Sequence, residues 1–286
     1  MTDGPRLRIG ELSRRVGVSP EVLRAWETRY GLLRPERTKG GLRLFSEQDE
    51  RRVHLMRQHI AAGLSAAEAA RLAGLSETAG GGERSASFAQ IEATLAQGLE
   101  ALDEPMAQSA LDQLFRAFAL PFALSEVILP FLHRLGERWA AGEMSIAHEH
   151  FASNVIGGRL RALTRGWGNG VGPRAILACP PGERHELGLL CFGLALREHG
   201  WRITYLGPET PLREITDALG ELAPSIVVLS AISQQRFLDA SEEITALATQ
   251  VRVGIGGAGA SPALARATGV ELLGGDAVGE AAGLAA

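Results

Sequence analysis

Cysteine is nearly absent from the 286 residues: Cys179 and Cys191 are the two. Two thiols make no disulfide framework, so a packed core must hold the fold, and a reducing cytoplasm suits such a chain. No apolar run approaches the ~20 residues of a membrane span, so no membrane partner is expected. No secretory leader is expected either, because Arg6, Arg8, Glu11, Arg14 and Arg15 interrupt any hydrophobic core near the start. No repeat period links one part of the chain to another. What remains is 45% hydrophobic and 22% charged, an ordinary globular composition, in a chain long enough for roughly two or three domains.

The net charge of −4 conceals an asymmetry. Residues 1–76 hold 14 Lys/Arg against 9 Asp/Glu, a net of +5, and the remainder nets −9. A basic head on an acidic body suggests that only the head meets a polyanion. Chance variation of surface charge explains the imbalance equally well, so the motifs must decide.

The head reads helix, turn, helix, hairpin. Ile9, Leu12 and Val16 recur at helical spacing until Gly17 breaks the pattern. Ser19 is then an N-cap, Pro20 takes the first helical position, and Gly31 ends the second helix. Leu23 and Trp26 give that helix an apolar side, while Arg24 and Arg29 point outward. Residues 35–45 are short, basic and Gly-paired, as in a β-hairpin wing. Ser46 opens a longer helix over 46–61, and Ser65 caps another through about Leu72. A second helix laid in the major groove, flanked by cations that neutralise phosphates, is the chemistry this pattern offers. Arg24, Arg29, Tyr30, Arg37, Lys39 and Arg43 are the expected contacts to double-stranded promoter DNA.

Three motifs run in order here: I-x-E-L-x-x-x-x-G-V from Ile9, L-R-x-W-E-x-R-Y-G from Leu23, and R-x-x-G-G-x-R-L-F-S from Arg37. Together they resemble the MerR family of regulators across about residues 8–75. The resemblance implies paired heads in a homodimer. The family's wing often carries Tyr where this chain has Phe45, a change expected to remove one phosphate contact.

Past the head, 77–86 reads as a Gly- and Ser-rich linker. Apolar residues at three- and four-residue steps, such as Leu111, Leu114, Phe115 and Phe118, predict a bundle of about four helices over 87–166. Residues 166–172 read as a second linker. From Arg174 short apolar runs alternate with helical stretches. Strands are expected at 174–179, 201–206, 225–230, 251–255 and 270–273, with helices near 186–199, 211–222, 237–249 and 261–268. The expected fold is therefore multidomain α and α/β: a winged helix-turn-helix over 1–76, a four-helix bundle over 87–166, and a doubly wound, Rossmann-like parallel domain over 173–286.

His185 falls just past the first strand of that last domain, where open α/β sheets bind ligands. Its imidazole can ligate a metal, Glu183 can orient it, and Gly188 permits close approach. Ser230 and Ile232 end the third strand, with 41 residues between Gly188 and Ser230, and Gly256 and Gly257 follow the fourth. The ordered set resembles the cobalamin-binding fold of methionine synthase and methylmalonyl-CoA mutase. That resemblance implies that His185 binds cobalt from below and that the nucleotide tail enters a slot beside Ser230 and the paired glycines. Glu183 and Ile232 stand where that fold commonly has Asp and Leu.

In the bundle, Trp139 precedes Glu149-His150 by nine intervening residues. With the domain order, this extends the resemblance to the CarH-type, or LitR-type, light-dependent repressors over nearly the whole chain. It implies adenosylcobalamin between bundle and α/β domain, with Trp139, Glu149 and His150 on its upper face. It also implies a dark DNA-binding oligomer, dimer or tetramer, that loosens when light breaks the cobalt–carbon bond. An indole offers a flat apolar lid and a carboxylate accepts hydrogen bonds from ribose hydroxyls. In the CarH pattern a His follows the lid Trp; here it is Ala140, which has no electron pair to donate. Three other readings stay open: a light-independent sensor of cobalamin or another chromophore, a cobalamin-dependent enzyme, and a cofactor-free DNA-binding protein. An enzyme is not expected, since no substrate-binding catalytic domain is evident. Cys179 reads as a buried strand-end thiol, His54, His59, His133 and His199 as surface residues, and Trp201 as core or interface.

Overall fold

The computed structural model describes residues 7–37, 42–61, 66, 69, 70, 73 and 81–285. The chain divides into two compact units, residues 1–89 and 90–286.

In the first unit, α1 (Ile9–Val16) ends on Gly17, whose φ of 62° suits a residue without Cβ. The next helix, α2 (Pro20–Tyr30), starts where Ser19 Oγ accepts the Val22 amide at 3.4 Å, and stops at Gly31. Strands β1 (Glu36–Arg37) and β2 (Arg43–Leu44) pair antiparallel. Leu7 bridges Phe45 through reciprocal main-chain bonds of 2.8 Å. The turn holding Lys39 lies outside the described residues, as do Ser65 and Leu72. Ala66, Ala69, Ala70 and Ala73 are helical, in keeping with the helix expected there. Leu12, Val16, Leu23, Phe45 and Met56 form the core, with Trp26 half-buried against it. Phe45 is fully buried, so its difference from Tyr touches the core and not a phosphate-facing surface.

Beneath the hairpin, Asp49 of α3 (Glu47–Ala61) is 1% exposed. Its carboxylate accepts the Arg34 amide at 2.8 Å, the Ser46 amide at 2.9 Å, the Ser46 hydroxyl at 3.0 Å and Arg52 Nη1 at 2.7 Å. Arg34 precedes β1 and Ser46 follows β2, so one carboxylate pins both ends of the hairpin to α3.

The bundle belongs to the second unit except for residues 81–89 of its first helix. Its first helix, α4 (Gly81–Glu100), takes in residues 81–86 of the stretch expected as a linker; residues 77–80 lie outside the described residues. Glu83, Arg84 and Ala86 are good helix formers, and extending an existing helix costs far less than nucleating one. There follow α5 (Glu104–Ala117), capped by Asp103, then α6 (Leu120–Ala123), a π turn (Leu124–Ile128) and α7 (Leu129–Ala140), one after another. Pro130 lacks an amide proton and its ring would crowd the carbonyl of the preceding turn, and the wider turn makes room. The last bundle helix is α8 (Ile146–Leu163), capped by Ser145.

The α/β part has five parallel strands: β3 (Arg174–Ala178), β4 (Arg202–Gly207), β5 (Ile226–Ser230), β6 (Val253–Gly256) and β7 (Glu271–Leu273). Their order is β4-β3-β5-β6-β7, so the connections reverse direction between β3 and β5. The inner strands β3, β5 and β6 are buried on both faces, as a sheet covered by helices on both sides requires, whereas the edge strands β4 and β7 are partly exposed. Helices α9 (Leu187–Glu198), α10 (Leu212–Leu222), α11 (Gln234–Asp239), α12 (Ser241–Ala248), α13 (Pro262–Thr268) and α14 (Ala277–Ala285) complete it. The single helix expected over 237–249 is in fact two, broken at Ala240. Ile176, Leu229, Phe237, Ile244 and Ile255 centre the core shared with α10, α12 and α13. On the other side α9 packs against α14 and against α8 of the bundle. The second linker is tied down: Trp167 is 6% exposed, and its carbonyl accepts the Ile203 amide at 2.8 Å.

The Asp49 cluster carries a measurable consequence. Asp49→Ala leaves the Arg52 guanidinium buried without this carboxylate. The substitution is expected to lower stability of the head by about 3 kcal/mol in urea unfolding; a loss under about 1 kcal/mol would show that the carboxylate does not hold the hairpin.

Candidate cofactor site and nucleic-acid interface

The loop after β3 is built around Glu183. Its side chain is 3% exposed, yet it accepts four hydrogen bonds. Oε1 takes the Arg184 and His185 amides, both at 2.8 Å, and His185 Nδ1 at 2.6 Å. Oε2 takes the Ile232 amide at 2.9 Å, from the loop after β5. The two loops on either side of the strand reversal are therefore joined through one carboxylate. Burial alone would raise the Glu183 pKa, but the bonds from His185 and Ile232 outweigh it and hold the group below its usual value. Its contribution to stability is thus present at neutral pH and is lost only as pH falls through that depressed value.

With the carboxylate ionised, the shared proton belongs on His185 Nδ1. The ring is 65% exposed, and Nε2 is left as the available donor atom. Cys179 lies close by, its thiol 3.8 Å from the His185 carbonyl. Burial, then the Glu183 and Glu186 charges, push that thiol up to about 12, so it stays protonated and inert.

Across the crevice, Gly257 has φ 86°, and a Cβ there would stand 2.5 Å from the Ala231 carbonyl oxygen and 3.1 Å from Ser230 Oγ. Glycine is needed for this turn to approach β5. Gly256 is buried with ordinary spacing around it, and Gly188, in the first turn of α9, faces open space. Ile232 is half exposed. Gly259 was not foreseen: a Cβ there would meet the Ser233 backbone at 2.5 Å. The third glycine of G-G-x-G was its only sequence signal.

Trp139 is exposed at the end of α7, and Glu149 and His150 stand near the start of α8, at the same end of the bundle. Glu149 Oε1 accepts the Ser153 hydroxyl at 2.7 Å, and its Oε2 is 3.6 Å from His150 Nε2. His150 shares a helix face with Gly157, about 10 Å away along the axis. At Gly157 the helix meets α9: a Cβ there would lie 3.1 Å from Leu187 Cδ2. The bundle also has a cleft of about 340 Å³ lined by Leu99, Phe131, Leu135, Arg138 and His148, separate from Trp139, Glu149 and His150. Sequence reasoning also missed Glu186, Arg161 and Tyr205, which meet beside the His185 loop although 25 and 19 residues separate them from Glu186.

On the head, Arg24 and Arg29 are exposed on α2. Arg24 Nη1 is 3.9 Å from Glu21, and the Arg29 guanidinium lies 5.9 Å from the half-buried Tyr30 ring. Arg43 Nε is 3.3 Å from Glu27. Arg37 lies in β1. His54, His133 and His199 are exposed and Trp201 is buried, whereas the His59 side chain lies outside the description.

A winged head in one unit and, in the other, a helical bundle docked on an α/β module with a histidine loop at its strand reversal define a helix-turn-helix regulator with a built-in ligand module. Residues 7–74 match the family model described as MerR HTH family regulatory protein, and residues 91–164 and 173–284 each match one described as B12 binding domain. The HTH-type transcriptional repressor CarH of Myxococcus xanthus is 34% identical over 88% of this chain and 89% of its own length. The HTH-type transcriptional repressor CarA of the same organism is 31% identical over 89% and 87%. Among solved structures, the Methanosarcina barkeri monomethylamine corrinoid protein has a TM-score of 0.56 at 16% identity, over 68% of this chain and 95% of its own, which speaks of the fold alone. The chain belongs to the family of CarH-type regulators, in which a MerR helix-turn-helix head is joined to B12 binding domains.

The crowding at Gly257 is directly testable. Gly257→Ala is expected to cost about 2 kcal/mol in urea unfolding, through strain at positive φ and the clash with the Ala231 carbonyl. An unchanged midpoint would show that the loop yields freely.

Proposed function

We propose that this protein is a cytoplasmic, light-responsive transcriptional repressor with adenosylcobalamin as its chromophore. The observation that carries the reading is the His185 loop. Glu183 fixes the imidazole through Nδ1, and Nε2 is exposed at the strand reversal, close to where the bundle docks on α9. Among the described residues no cluster of three His, Cys, Asp or Glu could cage a metal ion. A single imidazole suits a metal whose remaining positions are filled by a macrocycle. The chemistry of the other residues fits the same group: Ser230 and Gly257 border a narrow approach between β5 and β6, and Trp139 offers an exposed indole face.

Adenosylcobalamin, when bound, would supply a photolabile cobalt–carbon bond and with it sensitivity to light. His185 would hold the cobalt from below, Ser230, Ile232, Gly256 and Gly257 would line the tail slot, and Gly188 would allow close approach. Trp139, Glu149 and His150 would contact the upper group and so favour the dark assembly, a dimer or tetramer. Such a ligand shifts assembly only if one state binds it better, and the upper-face contacts provide that difference. Ala140 offers no donor atom, so release would rest on losing the Trp139 and Glu149 contacts. The same residue favours a second reading, a light-independent cobalamin sensor. On the head, Arg24, Arg29, Tyr30, Arg37, Lys39 and Arg43 would meet promoter DNA, most of them at phosphates.

Sedimentation of the full chain with adenosylcobalamin separates the two readings. Kept dark, it is expected to form the larger species, and illumination is expected to break it down. Identical dark and light profiles would favour the light-independent sensor. His185→Ala should bind cobalamin weakly and lose the histidine-bound absorption and spin-resonance signature; an unchanged cobalt spectrum would remove His185 from the site. DNA binding should fall steeply with salt, and Arg29→Ala should lower the log–log slope by about 0.9. A flat salt dependence would overturn the phosphate assignment.

A further inference from the structure

Beside the His185 loop lies a polar cluster to which the cofactor reading gives no part. Glu186 follows His185 directly and precedes the first turn of α9. Its side chain is 11% exposed. One carboxylate oxygen accepts from Arg161 Nη2 on bundle helix α8, and the other accepts the Tyr205 hydroxyl from β4. The Tyr205 ring meets Trp167 edge-on, with centroids 5.8 Å apart. One turn before Arg161, Gly157 lets α8 press against Leu187. A single buried carboxylate thus ties together the bundle, the start of α9 and an outer strand of the sheet.

Such a cluster tends to be either complete or open. A carboxylate this buried needs its donors, because removing one partner costs more than the pair gained on forming. If α8 lifts away, Arg161 leaves with it and Glu186 must find water. The residue that then shifts is covalently joined to His185.

We propose that Glu186 is a positioning residue that couples the seating of α8 to the orientation of His185. With α8 seated, Arg161 and Tyr205 hold Glu186, and the His185 backbone is fixed from both sides, by Glu183 before it and Glu186 after it. With α8 displaced, Glu186 keeps only the Tyr205 bond, and most of the restraint on His185 falls to the Glu183 side. The role for His185 rests on the cobalamin reading; the mechanical link does not.

Two readouts on the full chain test this. Without cofactor, hydrogen exchange is followed for amides in 157–163 and 187–190. Arg161→Gln and Glu186→Gln are each expected to speed exchange in both segments by about tenfold. The double variant should be no faster than either single one, and Arg161→Lys should restore much of the protection. Exchange that changes only in the substituted segment, or that adds in the double variant, would overturn the link. With cob(II)alamin as probe, the nitrogen splitting in the spin-resonance spectrum reports how much histidine is bound. Arg161→Gln, on a half-exposed side chain that folding should tolerate, is expected to lower that fraction at saturating probe. An undiminished fraction in both Arg161→Gln and Glu186→Gln would overturn the coupling to His185. If the unaltered chain binds no cobalamin, the cofactor reading fails, and hydrogen exchange alone decides the link.

Discussion

A buried carboxylate that accepts four hydrogen bonds joins two loops which the strand order sends in opposite directions. In a parallel sheet the reversal between β3 and β5 leaves an opening at their carboxyl ends. Backbone amides in that opening need partners, and the Glu183 side chain supplies them for Arg184, His185 and Ile232 at once. The imidazole is then oriented by the group that closes the loops, so the position of Nε2 and the shape of the crevice are set by one event. A shorter side chain, such as the Asp common in this fold, would have to bring the backbone nearer to make the same bonds.

The head solves a similar problem in a similar way. Asp49 gathers the amides before and after a hairpin too short to have a core of its own. In both units a short segment is steadied from behind by a buried acid, the hairpin by Asp49 and the His185 loop by Glu183. The net charges differ as well: residues 1–76 net +5, which suits a phosphate-binding surface, and the remainder nets −9.

Much of this was legible in the sequence because periodicity and punctuation report local physics. Apolar runs marked all five parallel strands within a residue or two, and Gly17, Gly31, Ser19 and Ser46 marked helix ends through their capping chemistry. The His185 loop was legible from order and spacing. Other features depend on distant partners and left no local trace. Arg161 and Tyr205 look like solvated or core residues until α8 and β4 bring them to Glu186. The π turn arises where Pro130 meets the demands of packing, and α14 is Gly- and Ala-rich with little amphipathic pattern, so it takes shape against α9. The second linker does connect the bundle to the sheet, but its Gly-rich composition gives no sign that Trp167 is buried over Gly193, whose missing side chain makes the space.

That last arrangement fixes where the bundle can turn. The Trp167 carbonyl is bonded to the Ile203 amide, and the Pro173 carbonyl to the Arg202 amide, so both ends of 167–173 are stitched to the same strand region. The segment therefore adds no slack between the bundle and the sheet, although its composition suggests a loose cord. Rotation of α8 would be absorbed upstream, around 164–166, where Gly166 has φ 82°. A pivot there lies within two turns of Arg161. The far end of α8, carrying Glu149 and His150, would sweep the wider arc, like the tip of a door hung beside its own bolt.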